Sequence, residues 1–178
     1  MGGVSGLTPG ETTLTLTAGN GVVKTVPVTV RDNLLKDWQT ASFSAASNDR
    51  EKVPSFTIAD GSMTLTGVPG TTDQRVFTLI DSPDGFDTQL TFGLDYTGPE
   101  LANMGLANNL LMAVDMTNNA YAQLETLPVP DTVTPGHYRL DVTLPVTCRK
   151  LELRIGVFTT TPFTVTRLAL MKTSEFLE

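Results

Sequence analysis

Few side chains in this sequence could support nucleophilic or metal chemistry. The 178 residues include one histidine, His137, and one cysteine, Cys148. A catalytic triad needs an imidazole beside a nucleophile, and no Gly-x-Ser-x-Gly elbow is present to offer one. A single His and a single Cys also cannot form the ligand cluster of a zinc site. We therefore expect a non-enzymatic protein, with His137 as a surface or turn residue.

Carboxylates form the second group of candidates. The members expected to face outward from strands are Asp95, Asp115, Asp141 and Glu152. Two carboxylates on either side of a glycosidic bond could hydrolyse it, but nothing in the sequence sets the separation of any two of these. Carboxylates on the outside of an acidic protein are ordinarily solvated, so we expect no catalytic pair.

The loop 81–87 concentrates oxygen ligands around a glycine turn. Asp81, Asp84 and Asp87 could together chelate calcium, a hard cation that prefers carboxylate oxygens. Their spacing differs from that of an EF-hand, and Asp and Gly are also ordinary turn residues. A plain turn without a cofactor is the main interpretation, and calcium is the alternative.

Side chains suited to sugar binding form the third group. An aromatic ring stacks on the apolar face of a sugar, and planar polar groups bond its hydroxyls. The candidates are Trp38, Tyr121, Gln123, Arg139 and Arg154. Tyr121 and Gln123 alternate with Ala120, Ala122 and Leu124, which we expect to be buried. For Trp38 a core or interface position is favoured over a sugar platform, and a 7% aromatic content is low for a dedicated lectin.

The charge balance excludes two classes of partner. Nineteen Asp and Glu against twelve Lys and Arg give a net charge of -7, which repels both the phosphate backbone and anionic lipids. No stretch approaches the roughly 18 consecutive apolar residues of a membrane span. The first residues lack the charged start and apolar run of a signal peptide. We expect neither nucleic-acid binding nor membrane insertion.

Alternation of threonine with apolar residues predicts that the chain is all-β. Residues 11–30 alternate on either side of Gly19-Asn20-Gly21, and a central Asn-Gly is a strong signal for a β-hairpin. The character changes after Asp32, where we place a boundary. Nine further strands are predicted at 54–58, 62–68, 75–81, 88–96, 109–116, 120–124, 137–144, 150–158 and 162–171. Many short strands separated by turn clusters predict a β-sandwich or barrel.

Three of these strands show which side faces the core. Their inward residues are predicted to be Leu90, Phe92, Leu94 and Tyr96, then Tyr138, Leu140, Val142 and Leu144, then Leu151, Leu153, Ile155 and Val157. In the last strand the apolar parity changes between Val165 and Leu168, which predicts a β-bulge near Arg167.

The hairpin resembles part of a known domain. Residues 5–30, with their Leu7-Thr8-Pro9-Gly10 opening and the closing run 26–30, resemble the final strands of a bacterial immunoglobulin-like domain of group 2. The resemblance implies an Ig-like hairpin whose remaining sheet is supplied elsewhere. A two-stranded hairpin is marginal in water, so we expect Val26 and Val28 to lie in an interface.

A second resemblance covers residues 38–172. The stretches 60–67 and 163–170 are similar to the jelly-roll sandwich of carbohydrate-binding modules, a shape also common in phage tail and capsid accessory proteins. It implies glycan binding, and in some members a calcium with an acidic ligand near the last strand. Here Thr166-Arg167 occupies that region. Past this strand, Phe176 and Leu177 are expected either to pack back or to dock a partner.

These observations lead to one main functional hypothesis and one alternative. The fold is expected to be an N-terminal Ig-like β-hairpin, 1–32, an antiparallel jelly-roll β-sandwich, 33–172, and a tail, 173–178. The main hypothesis is a non-enzymatic bacteriophage virion structural or adhesion protein, attached to other virion proteins by strand pairing and apolar contacts and forming a homo-oligomer. The alternative is a carbohydrate-binding module from a larger secreted or surface bacterial protein, with a cell-surface glycan as its partner.

Overall fold

The structure, a computed structural model, describes residues 10–30, 32–35 and 37–176. These residues form fourteen β-strands and two 3-10 turns, and in them no helix is long and apolar enough to cross a membrane. The strands are β1 Gly10–Thr17, β2 Val23–Val30, β3 Phe43–Ala46, β4 Ser55–Ala59, β5 Ser62–Thr66, β6 Arg75–Asp81, β7 Gln89–Thr97, β8 Leu101–Ala102, β9 Asn109–Asp115, β10 Ala122–Pro128, β11 Thr132–Val133, β12 Gly136–Thr143, β13 Lys150–Gly156 and β14 Phe163–Lys172. The 3-10 turns are Thr117–Asn119 and Thr173–Glu175. The chain divides into two compact units, residues 1–33 and 34–178.

The first unit contains the hairpin that the Asn-Gly signal predicts. Strands β1 and β2 pair antiparallel, with Leu14 opposite Val26. At the turn, the Gly21 N–H donates to the Ala18 carbonyl over 2.9 Å, and Gly21 has a φ of +80°. Such a φ is readily available only to glycine, so the turn sequence fixes the register of the two strands.

The second unit is an antiparallel sandwich of two five-stranded sheets, as the sequence predicts. Sheet I has the strand order β10-β9-β13-β6-β3, and sheet II has the order β12-β7-β14-β5-β4. From β5 to β9, and again from β12 to β14, the chain crosses between the sheets. Neighbours within a sheet are therefore mostly distant in sequence, which is the jelly-roll pattern. The short strands β8 and β11 form a separate two-stranded sheet.

The core lies between the two sheets and contains the predicted inward residues. Phe92, Leu151 and Leu153 are almost completely buried, as are their predicted companions Leu90, Leu94, Tyr96, Leu140, Val142, Leu144, Ile155 and Val157. Tyr138 is partly buried against the same cluster. Alternation in these strands therefore identified the inner faces of both sheets.

The last strand contains the predicted bulge. In the pairing of β14 with β7 the register shifts between Val165 and Arg167, which moves Leu168 and Leu170 onto the face occupied by Val165 before the shift. Two other expectations were wrong. Strand β10 runs from Ala122 to Pro128 instead of ending at Leu124, and the short strands β3, β8 and β11 were not predicted.

Candidate functional site

The outward side of sheet I carries a cross-strand row of mixed chemistry. Arg154 on β13 lies opposite Met112 on β9 and Phe77 on β6, and Glu152 lies opposite Val114 and Leu79. Directly opposed residues share one face of a sheet, so these side chains all project away from the core. We call this surface, together with Tyr121 and Gln123 at the start of β10, the β13 face.

A buried ion pair lies at the centre of the β13 face. The Arg154 Nε donates a hydrogen bond to Glu152 Oε1 over 2.5 Å. The two side chains are only 11% and 8% exposed. Charges removed from water to this extent are tolerated only when they are paired and hydrogen-bonded. The guanidinium and the carboxylate are therefore fixed in place before any ligand arrives.

Tyr121 is the exposed aromatic ring of this face. Its side chain is 56% exposed, and the Arg154 guanidinium carbon lies 5.1 Å from the ring centroid. The Arg154 Nη1 also donates to Tyr121 Oη over 3.4 Å and to Met112 Sδ over 3.5 Å. The guanidinium over the ring and the hydrogen bond to the phenol hydroxyl together restrict the rotamers of Tyr121. The ring is therefore presented in a defined orientation.

The arrangement combines apolar contact surfaces with fixed polar groups. Tyr121 at one side and Leu79 at the other are exposed, with the Arg154–Glu152 pair between them. Guanidinium N–H groups are donors, and carboxylate oxygens are acceptors. Such a surface can stack on the C–H face of a flat ligand while bonding both donors and acceptors at its edge.

The structure brings together three of the five side chains predicted to bind sugar. Tyr121 and Arg154 are in contact, and Gln123 is exposed beside them, opposite Val114. The expected burial of Ala120 and Ala122 was wrong, because both lie exposed where the edge strand β10 begins. Sequence reasoning placed Glu152 outward but missed its pairing with Arg154.

Trp38 cannot serve as a platform for a ligand. It is only 4% exposed and belongs to the hydrophobic core, as does Leu35. Its backbone N–H donates to the Leu35 carbonyl over 3.0 Å, so a tight turn directs this segment inward. Of the two interpretations of Trp38, the core position is therefore the one observed, and Trp38 is removed from the ligand-binding candidates.

Arg139 lies on the other sheet, away from the β13 face. On the outer side of sheet II its Nη2 donates to both carboxylate oxygens of Asp141, over 2.8 and 2.9 Å. Asp141 Oδ1 also accepts a hydrogen bond from the Thr91 hydroxyl over 2.6 Å. The Thr91 bond, then Arg139, lower the pKa of Asp141 against the opposing effect of burial. Arg139 is therefore part of a separate polar network.

The chain after β14 packs back onto sheet II. The Phe176 ring lies over Gly93, where any Cβ would overlap the ring. Guanidinium groups of Arg139 and Arg167 lie 5.6 and 5.5 Å from the ring centroid. Of the two expectations for Phe176, packing back is therefore the one observed. Leu177 and the side chain of Val28 lie outside the described residues, and the hairpin residue Val26 is half-buried.

The groups that a nucleophilic mechanism would need are engaged or buried. His137, largely exposed at the start of β12, places its Nδ1 2.7 Å from Asp95 Oδ1. Cys148 is buried, and that burial, together with the nearby Asp115 carboxylate, raises the pKa of its thiol. A thiol with a raised pKa is a poor nucleophile at neutral pH.

The four carboxylates that were predicted to face outward are divided between the sheets. Asp95 and Asp141 lie on sheet II, and Asp115 and Glu152 lie on sheet I. The outward position predicted for Asp115 was wrong, because Asp115 lies opposite the inward Leu151, whereas Glu152 points away from the core. This division gives neither sheet I carboxylate a partner across a shared cleft.

Two of the three carboxylates of the loop 81–87 are paired with lysines, which calcium would have to displace. Asp81 pairs with Lys150 over 3.7 Å, and Asp87 pairs with Lys172 over 3.3 Å. Among the described residues no group of three acidic, His or Cys side chains could hold a metal ion. Lysines from two different strands therefore pair with Asp81 and Asp87.

Comparisons with known proteins find similarity among solved structures. No protein-family model matches the sequence, and no curated protein matches it. Among solved structures the chain is similar to one described as "CBM4 structure and function", at 12% identity over 72% of this chain and 78% of that chain, with a TM-score of 0.48. A mutant of CBM29-2, from the family 29 carbohydrate binding modules, matches at 11% identity over 78% and 99% with a TM-score of 0.41.

A phage protein is also among the similar structures. The enzymatically active domain of tailspike protein 4 from bacteriophage CBA120 matches at 12% identity, over 74% of this chain and 19% of that chain, with a TM-score of 0.43. At these identities and TM-scores the likeness concerns architecture alone and assigns neither ligand nor activity.

Proposed function

We propose that this chain is a non-enzymatic carbohydrate-binding protein and that the β13 face is its binding surface. One observation carries the proposal. The exposed ring of Tyr121 is held in place by Arg154, whose charge is in turn balanced by the buried carboxylate of Glu152. Aromatic stacking beside fixed planar polar groups is the chemistry that a pyranose ring requires.

The mixed character of the face favours a sugar over other ligands. A protein partner generally covers a larger and more apolar centre, and the centre here is an ion pair. A nucleic acid would need an excess of cations, and the pair is neutral within a chain of net charge -7. Sugar hydroxyls can both donate to Glu152 and accept from Arg154, so neither group loses its hydrogen bonding on binding.

The length of the β13 face favours an oligosaccharide over a single sugar as the ligand. Tyr121 adjoins β10 and Leu79 lies on β6, three strand spacings apart in sheet I. At about 4.8 Å per spacing, the surface extends roughly 14 Å across the strands. A ligand of this length, exposed on a flat sheet, is an oligosaccharide or the end of a polysaccharide. An extracellular or cell-surface setting would supply such chains.

The same geometry supports binding without hydrolysis. Glycoside hydrolysis uses two carboxylates that flank the scissile bond. The Arg154 guanidinium already occupies Oε1 of Glu152, and the Glu152 side chain is only 8% exposed, so this carboxyl is poorly placed to reach a scissile bond. Its sheet I companion Asp115 lies on the opposite side of the sheet. We therefore propose that bound glycan is released unchanged.

Removing the Tyr121 ring is expected to abolish most of the glycan binding. Tyr121→Ala should weaken binding by at least about 30-fold, the effect of truncating an aromatic residue worth about 2 kcal/mol in an interface. Tyr121→Phe keeps the stacking surface and should lose far less. Wild type and variants would be screened on a neutral oligosaccharide panel, with affinities then measured by isothermal titration calorimetry.

Two results would contradict the proposed function. One is a wild-type protein that retains none of the panel at millimolar sugar. The other is equal affinity of wild type and Tyr121→Ala for a glycan that does bind, since the β13 face would then not be the surface used. Circular dichroism of each variant separates loss of binding from loss of fold.

A virion structural role is a second candidate, supported by the hairpin unit. Leu16 and Val23 of this two-stranded sheet are half exposed or more, and apolar side chains on an isolated hairpin contribute little unless another surface covers them. We propose for this role that the hairpin attaches the protein to further copies of itself or to other virion proteins.

Native mass tests the hairpin attachment. Self-assembly predicts a discrete multiple of 19.1 kDa at micromolar concentration, shifted toward the monomer in a Leu16→Thr, Val23→Thr variant. Val146→Thr is the matched control, because Val146 is an exposed valine of the sandwich unit. A monomeric wild type, or a variant of unchanged mass, would remove the support that self-assembly gives to this role.

A further inference from the structure

A cavity lies on the outer side of sheet II, on the opposite side of the sandwich from the β13 face. It has a volume of about 250 Å³ and is formed by strands β7, β12 and β14 with the residue that follows the C-terminal 3-10 turn. Its lining residues are Asp95, His137, Tyr138, Arg139, Arg167 and Phe176. Most of this lining is polar or charged, unlike that of a core void.

The lining contains more guanidinium groups than carboxylates, in an otherwise acidic protein. It contains two guanidinium groups and one carboxylate, that of Asp95, which contacts the His137 Nδ1 at 2.7 Å. Arg139 is bound through Nη2 to Asp141. Local positive charge with apolar walls attracts anions more strongly than the same charge in open solvent. The chemistry of the cavity thus favours an anionic group.

Arg167 is the group best placed to receive that anion. Its guanidinium lies 5.5 Å from the Phe176 ring centroid, and Asp95, the residue directly opposite it on β7, places its Oδ1 against His137, 2.7 Å from Nδ1. A guanidinium stacked on an aromatic ring keeps its in-plane N–H donors directed to the edge of the stack. Those donors match the two oxygens of a carboxylate.

The Phe176 ring gives the cavity an apolar wall next to this donor edge. Gly93 allows the ring to lie directly on the sheet, since a Cβ at that position would overlap it. The volume is slightly below the 300–1,000 Å³ typical of sites for drug-sized ligands. A single ring carrying one carboxylate is the kind of ligand that fits both the size and the two surfaces.

We propose that this cavity binds the carboxylate of an acidic sugar, such as a uronic acid, with Arg167 as the carboxylate receptor. The carboxylate lies against the Arg167 N–H donors, and the sugar ring lies between Phe176 and His137. This site is on the opposite sheet from the β13 face and does not depend on the glycan binding proposed there.

The proposal is tested by titrating the full chain with glucuronate, glucose and acetate. Binding is monitored by NMR chemical shifts or by calorimetry. Glucuronate is expected to bind in the millimolar range, and glucose and acetate at least 10-fold more weakly. Arg167→Gln should weaken glucuronate binding at least 10-fold, because charge-assisted hydrogen bonds are lost. Arg50→Gln is the matched control, since Arg50 is an exposed arginine in the loop before β4.

Each alternative outcome overturns a stated part of the proposal. Absence of glucuronate binding, or equal binding by Arg167→Gln, overturns the site. Equal affinity for acetate overturns recognition of the sugar ring. If Arg167→Gln does not fold, Arg167→Lys keeps the charge without the planar fork and is expected to bind more weakly than wild type. Binding of neutral oligosaccharide should be unchanged in Arg167→Gln, so failure here is distinguishable from failure of the β13 face.

Discussion

Gly156→Ala is expected to destabilise the sandwich by about 3 kcal/mol or more, at the upper end of the range for overpacked sites. Gly156 is the last residue of β13 in the middle of sheet I. A Cβ there would lie well inside 3.0 Å of the Asn109 carbonyl oxygen. That oxygen belongs to the backbone at the start of β9, so it cannot rotate away as a side chain would.

Relief of this clash would have to come from separating β13 and β9 at one end. For a domain of this size, about 3 kcal/mol corresponds to a fall in Tm of roughly 6–12 °C. Thermal unfolding followed by circular dichroism measures it. Gly19→Ala adds the same methyl group where no atom lies within 4 Å and should leave the sandwich transition in place. Equal transitions for both variants would mean that the close approach of these strands is not a packing constraint.

The architecture was largely predictable because the alternation of apolar and polar residues shows which side of each strand faces the core. Leu151, Leu153 and Ile155 alternate with polar residues, and this period-two pattern holds wherever one face of a strand is buried. The bulge was also predictable, because the apolar positions of the last strand shift by one residue between Val165 and Leu168. Strand β3 was not predicted because its four residues, Phe-Ser-Ala-Ala, show little alternation of apolar and polar side chains.

The candidate site was only partly predictable because its members lie far apart in sequence. Tyr121 and Arg154 were singled out individually, each by its chemistry. Their contact depends on β9 lying between β10 and β13, and on a register that places Met112 beside Arg154. Local sequence does not specify which non-consecutive strands pair in a jelly roll.

Two aromatic residues show the limits of composition as a guide to binding. Trp38 has the side chain best suited to stacking on sugars, yet a turn with Leu35 buries it in the core. Phe176, beyond the last strand, was expected either to pack back or to meet a partner. It packs on sheet II between Arg139 and Arg167. Burial on folding decides which rings are available to a ligand, and composition does not report it.

Glu152→Ala is expected to cost about 3–5 kcal/mol, the usual effect of removing one partner from a buried ion pair. The variant leaves the Arg154 guanidinium, with its side chain only 11% exposed, without the carboxylate that balances it. Chemical denaturation measures the loss. A double replacement, Glu152→Leu with Arg154→Met, removes both charges and is expected to recover most of it, because a buried pair is often no more stabilising than apolar residues of similar volume.

Comparison of these two variants separates stability from binding. If the double variant is as stable as wild type and retains no glycan, the ion pair contributes little net stability, and its role is to hold Tyr121 and to bond the ligand. If the double variant is as unstable as Glu152→Ala, the pair is a structural requirement of sheet I. Full glycan binding by a stable double variant would leave the β13 face without its polar contacts and would contradict the mechanism of recognition argued from Arg154 and Glu152.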